Sequence, residues 1–166
     1  MAYAGFILVE GLKGQSTHPE FNNVYSDILS FNFGLSQRGI QSLEDNPYES
    51  RVNFDEFTIT KLVDSATTGL FSYCTSGQKI KRVHIRTDEQ KAVGKVIMSA
   101  DLYKVTVSSI RFIGSPGDLN FTRPIEEITF KFGKIEISYH HNTVKGTKVF
   151  MKGWDLDKNE TWTSDK

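Results

Sequence analysis

Between Val52 and Asp88 the spacing of apolar positions changes period twice, so the segment reads as strand, helix, strand. Phe57, Ile59 and Val63 alternate with Thr58, Thr60 and Leu62, a period of two that Lys61 interrupts on the apolar side. Asp64 or Ser65 can then accept from the free N–H groups of a new helix. Leu70, Phe71 and Cys74 follow at helical spacing, and Gly77 can turn left-handed at the C-terminus, which predicts a helix over about 65–76. A helix that short is marginal alone in water. Its Leu70/Phe71/Cys74 face is therefore expected to pack into a core. After it, Val83 and Ile85 alternate with Arg82, His84 and Arg86, and a strand resumes.

The flanking chain is strand-rich. Phe6 to Val9 begins a first strand, closed by a turn at 11–16. From Asp27 to Leu35, Leu29, Phe31, Phe33 and Leu35 share one face and Ser30, Asn32 and Gly34 the other. Val96, Met98, Ala100 and Leu102 keep one phase and Val105 and Val107 the opposite one, so a bulge or sharp bend is expected near Tyr103–Lys104. Ile128, Phe130 and Phe132 alternate with polar neighbours, and Ile135, Ile137 and Tyr139 continue in shifted phase beyond Gly133. Val149 to Leu156 forms a last short element with Trp154, and the residues from Asp157 onward are polar and expected to fray. The stretch 36–53 has no sustained period and is long for a loop in a compact domain, which marks it as functional or mobile. Its Ile40, Leu43 and Tyr48 need cover, from their own domain or from another molecule.

So many strands need their edges closed, covered or shared. The fold expected is mainly β, a small barrel-like pair of packed sheets with one short flanking helix. One domain is expected over 1–159, with 36–53 as an extended docking loop and 160–166 as a polar tail.

The 166 residues include 20 basic and 20 acidic side chains, so the formal charge is zero. That weighs against nucleic acid as a partner and leaves little long-range repulsion to oppose self-association. One cysteine, Cys74, excludes an internal disulfide framework and a thiolate metal cage. The first ten residues lack a basic n-region and Glu10 ends their apolar run, so neither a signal peptide nor a membrane span is expected and folding in the cytosol is.

Chemistry is scarce. His140 and His141 are consecutive on an expected strand and point to opposite faces, so they do not readily share a metal. Glu126–Glu127 fails as a catalytic pair for the same reason and reads as a solvated strand end. No serine stands in a nucleophile elbow, and Lys79, Lys81, Arg82 and Arg86 read as an ordinary charged face. No catalytic residue, cofactor or metal is expected, and the chain is not expected to be an enzyme.

One family resemblance does emerge. Phe57-x-Ile59-Thr60-Lys61-x-Val63-Asp64-x-Ala66, followed by Leu70-Phe71-x-x-Cys74-x-Ser76-Gly77-x-x-Ile80, resembles the central segment of the Hcp family, the haemolysin-coregulated tube proteins of the bacterial type VI secretion system. The likeness continues through Gly11-x-x-Gly14-x-Ser16, Leu35-Ser36-Gln37, Val107-Ser108-Ser109-Ile110, Glu126-Glu127-Ile128-Thr129-Phe130-x-Phe132-Gly133-Lys134-Ile135 and Gly153-Trp154-Asp155-Leu156-x-x-Asn159. It is collinear over nearly the whole chain. Ile137 stands where an aromatic is common, and the loop after Gln37 is polar with Pro47, where some members have a glycine-rich stretch.

The resemblance implies a barrel-like fold and a hexameric ring. It implies that rings stack into a tube expelled by a contractile sheath, with small effectors in the lumen and a tip spike and sheath proteins as partners. The implied residence is the bacterial cytoplasm during assembly, then the exterior or a target cell, without insertion into a membrane. Gln37, Ile40, Leu43, Glu44, Asp45, Tyr48 and Arg51 are the expected ring-stacking residues, and Ser30 and Asn32 the expected lumen-facing ones. The principal rival is a β-sandwich module binding carbohydrate or peptide, which would present clustered exposed aromatics in a concave site. A small hydrolase would need a convergent polar set that the sequence does not supply.

Overall fold

The computed structural model describes residues 2–37, 52–114, 116–117 and 120–164. Twelve strands and one helix follow in the order β1 (Tyr3–Val9), β2 (Ser26–Ile28), β3 (Ser30–Asn32), β4 (Leu35–Gln37), β5 (Val52–Phe54), β6 (Phe57–Leu62), α1 (Thr67–Ser76), β7 (Ile80–Glu89), β8 (Ala92–Ile113), β9 (Ile125–Lys131), β10 (Lys134–Thr143), β11 (Gly146–Asp155) and β12 (Glu160–Thr161). One layer runs β12-β11-β10-β8-β7-β1-β2, and a second runs β8-β9-β6-β3; β4 and β5 form a separate ribbon. The architecture is mainly β with one short helix, as the alternation implied, and of the barrel and the packed pair of sheets that it left open the described residues form two packed layers.

β8 belongs to both layers, and the phase flip in its sequence is the reason. It pairs with β10 up to Tyr103 and with β7 up to Val105, with Ala100 and Leu102 buried; from Thr106 it pairs with β9, with Val107 buried. At the join Lys104 adopts φ 54°, a left-handed kink that turns the apolar side from one parity to the other. The chain crosses back beside this kink, where Gly133 N–H bonds to Tyr103 O at 3.0 Å.

The core lies between the layers. Phe57, Ile59, Val83, Leu102, Val105, Ile128 and Phe130 are each at most 1% exposed. Burying a side chain of that size stabilises the fold by roughly 1.5–3 kcal/mol, which makes this inner surface the main adhesive between the sheets.

α1 begins two residues later than expected. Ala66, not Asp64 or Ser65, is the N-cap, and no side chain caps the helix. Asp64 instead accepts the Ala66 N–H at 2.9 Å and bonds to Lys61, while Ser65 Oγ donates to Lys13 O. Gly77 ends the helix at φ 66°, as its position implied. Leu70 is buried and Cys74 half-buried, but Phe71 is 54% exposed, so the buried face is narrower than expected.

Four further expectations need correction. The segment 27–35 is not one strand: it breaks into β2, β3 and the start of β4, which leaves Leu29 and Leu35 exposed. Lys61 is not an interruption of the core but part of it. Its side chain is 0% exposed, and Glu126, expected at a solvated strand end, is equally buried and 2.6 Å away. β11 is ten residues long rather than short. Finally, of the residues expected to fray, 157–164 are held: Asp155 Oδ1 accepts the N–H groups of Asp157 and Lys158, β12 pairs with β11, and Ser164 bonds to Glu136.

Candidate functional site

The outer face of the second layer is a polar field built by strand parity. With Phe57 and Ile59 turned inward on β6, Thr58 and Thr60 point outward; with Ile128 and Phe130 inward on β9, Glu127 and Thr129 point outward. β3 adds Ser30 opposite Thr60 and Asn32 opposite Thr58. Ser30 and Asn32 are both exposed. Ser30 Oγ lies 2.6 Å from Thr60 Oγ1, and Thr58 Oγ1 lies 3.2 Å from Thr129 Oγ1. The result is a row of small hydroxyls and amides across three strands, with the charged pair Lys131–Glu56 (3.4 Å) at one side. Such a surface offers many weak hydrogen bonds and no strong anchor.

The second candidate surface lies around the ribbon. β4 and β5 pair from Leu35↔Phe54 to Gln37↔Val52, so the described residues on either side of 38–51 form a short antiparallel ribbon. Gln37 is exposed at the last position of β4. Ile40, Leu43, Glu44, Asp45, Tyr48 and Arg51 lie outside the described residues. At the ribbon's base, Phe33 stacks on Phe57 with ring centroids 5.4 Å apart, and Phe54 meets Phe132 edge-on at 6.2 Å, so the ribbon grows out of the aromatic end of the core.

Titratable groups elsewhere are wired as ion pairs. On the outer face of the first layer Asp101 is engaged by the Arg82 guanidinium and, at 2.8 Å, by His84 Nδ1. Burial pushes the Asp101 carboxyl up, but bonds and charge from His84 and Arg82 outweigh it and hold it below the usual carboxylate range. Arg86 forms a two-pronged pair with Asp88, and its guanidinium lies 5.0 Å from the Phe21 ring centre. Burial of Arg86 opposes its charge and Asp88 more than restores it, so its pKa is raised. His84 thus faces a carboxylate and a guanidinium, the wiring of a structural charge cluster. Among the described residues no three His, Cys, Asp or Glu side chains gather as metal ligands, and no helix is long and apolar enough to cross a membrane.

Residues 6–139 match the family model described as the type VI secretion system effector, Hcp. The chain belongs to the Hcp family. This Hcp chain is 27% identical over 166 residues to Protein hcp1 of Pseudomonas aeruginosa, an alignment that covers 96% of this chain and 98% of that one. Its fold superposes on Hcp1 of Salmonella typhimurium with a TM-score of 0.78 at 20% identity, covering 98% of this chain and all of the other. It superposes on a further type six secretion system protein with a TM-score of 0.84 at 21% identity, covering 97% and 100%. The chain is thus a type VI secretion system tube protein by family, a structural component of a secretion machine.

Sequence reasoning missed three things here. Lys61 and Glu126 pair across sixty-five positions, a separation no local pattern reports. Trp162, placed in the polar tail, packs its ring 5.0 Å from that of Tyr103 with Lys134 Nζ 4.6 Å above its face. The hairpin of β10 and β11 exposes Tyr139 and Phe150, whose phase is that of core residues.

Proposed function

We propose that this chain is the structural subunit of a type VI inner tube: six copies close into a ring, rings stack, and a contractile sheath expels the stack with small effectors held in the lumen. The family match over residues 6–139 carries the reading. The zero formal charge supports it, since like-charged copies would resist a dense assembly.

Within that reading Ser30 and Asn32 face the lumen. They sit on the polar field of the second layer, where one modest contact per subunit sums over a ring by multivalency. Gln37, Ile40, Leu43, Glu44, Asp45, Tyr48 and Arg51 serve ring-to-ring stacking, with the apolar members as anchors and the charged ones setting register. The sheath and a tip spike are the remaining partners, and the path runs from the bacterial cytoplasm to the outside or into a target cell. The β-sandwich carbohydrate- or peptide-binding module draws no support from the relatives.

The test is export. In cells carrying an intact secretion machine, the chain should appear in the culture supernatant, and disabling the sheath should retain it in the cell. Release that does not depend on the sheath would contradict the proposal.

A further inference from the structure

β10 and β11 outrun the sheet that carries them. β10 pairs with β8 only from Lys134 to Tyr139, whereas its pairing with β11 continues to Thr143↔Gly146. β11 in turn pairs with β12 only at Trp154 and Asp155. The distal half of the hairpin therefore runs past the pairing with β8, and Asn142 Nδ2 donates to Val96 O at 2.9 Å beside it.

One face of the hairpin is a continuation of the core. Directly opposed residues of an antiparallel pair share a face, so Ile135/Trp154, Ile137/Lys152, Tyr139/Phe150 and His141/Lys148 form a single strip. At its base Ile135 is buried, and Ile137 and Trp154 pack against the core. Further out the strip's own side chains lie against one another, Lys148 Nζ 4.9 Å from the Phe150 ring centre and Tyr139 stacked on Phe150 at 6.4 Å, yet Tyr139 and Phe150 remain 51% and 48% exposed. Beside the base, a groove of about 350 Å³ opens toward the ribbon. The buried indole Nε1 of Trp154, which lines it, has no acceptor among the described residues.

Charge and distribution indicate what covers this strip. Between Glu136 and Asp155 the chain holds Lys145, Lys148 and Lys152, two histidines and no acidic residue. Because basic and acidic residues balance at 20 each, the rest of the chain carries an excess of three acidic residues. A second copy therefore supplies the complementary sign. A different apolar surface, with Ile113 and Phe121 exposed in one hollow, lies where β8 ends. Two unlike apolar surfaces on one chain suit heterologous contact, the kind that closes into rings rather than pairs.

We propose that the strip from Trp154 to Phe150 seats a second copy of this chain as the contact between neighbouring subunits of one ring. The neighbour brings an apolar surface with an acidic rim and a carbonyl oxygen for Trp154. The proposal rests on the tube-subunit reading and deepens it by naming the surface.

The experiment measures chain mass by light scattering after gel filtration, with far-UV circular dichroism as the folding check. It compares wild type, Phe150→Asp and Lys145→Glu/Lys148→Glu. Wild type should run as six chain masses, and Phe150→Asp as a folded single chain. The paired lysine reversal, on exposed residues at the outer end of the strip where Lys148 Nζ lies 4.9 Å from the Phe150 ring centre, should raise the concentration at which rings fall apart by roughly 30-fold or more. Intact rings from folded Phe150→Asp overturn this assignment while leaving the tube reading standing. If Phe150→Asp does not fold, intact rings from the lysine variant at wild-type concentrations overturn it instead. A monomeric wild type sinks the tube reading itself, and the proposal with it.

Discussion

Replacing Lys61 by methionine tests the buried charges that anchor α1. The Lys61 ammonium donates to Asp64 Oδ1 at 2.6 Å and to Leu62 O at 3.1 Å, and it forms an ion pair with Glu126 Oε1 at 2.6 Å. Thr67, the first residue of α1, donates to the same Glu126 oxygen at 3.0 Å, so the cluster ties β6, β9 and the helix start together. Methionine keeps most of the stem's volume and deletes the charge. Glu126 at 0% exposure and Asp64 at 4% then lose their cation while still out of water. Breaking a buried pair by removing one partner costs about 3–5 kcal/mol, because an uncompensated charge remains. Unfolding 166 residues releases about 350 cal/mol/K near the midpoint, so the melting temperature should fall by roughly 9–14 °C. The assay is a thermal melt followed by circular dichroism at one fixed chain concentration, since self-association raises apparent stability by mass action. Removing Glu126 as well in Lys61→Met/Glu126→Met should recover part of the loss and not all of it, because Asp64, 4% exposed, still lacks its cation. If the single variant melts within about 3 °C of wild type, equivalent to about 1 kcal/mol, the cluster is not anchoring the helix.

Three other outcomes follow from the surfaces and charges. Leu43→Asp should leave rings intact and abolish tubes under the electron microscope; collapse to single chains would move the 36–53 loop into the ring interface. Asn32→Arg changes no core volume, so rings should persist while a lumen-bound effector stops co-purifying; unchanged effector recovery would remove this face from the lumen. The Asp101 carboxyl is held below its ordinary range in the fold, so it contributes stability above the usual aspartate pKa of about 3.9 and loses it as pH falls through the lowered folded value. Asp101→Asn should therefore be less stable than wild type at neutral pH and lose less stability on acidification below about pH 4; parallel acid-unfolding curves would count against this.

How much of this was legible in the sequence depended on whether the deciding contact was local. The kink at Lys104 could be read because a strand has a period of two, and Leu102 and Val105 cannot share a face without a break between them. Gly77 could be read because a left-handed helix end favours one residue type. The run from Leu29 to Leu35 misled because perfect alternation does not require a continuous strand. Successive segments there pair with β1, β6 and β5, which leaves Leu29 and Leu35 outside the core. Lys61 looked like a flaw in an apolar face because its partner Glu126 comes from another strand. The same limit applies to the surfaces: Ile135, Ile137 and Tyr139 keep one phase, and alternation cannot show where along it the covering layer stops. The polar face carrying Ser30 and Asn32 was visible by parity, but parity alone does not say which space it faces.

The most direct test of the account is the solution mass of the purified chain at low micromolar concentration in physiological salt, with negative-stain images of the same sample. The account predicts six chain masses and closed rings with a central opening. A folded, monodisperse single chain under those conditions, with no rings in the images, would contradict it.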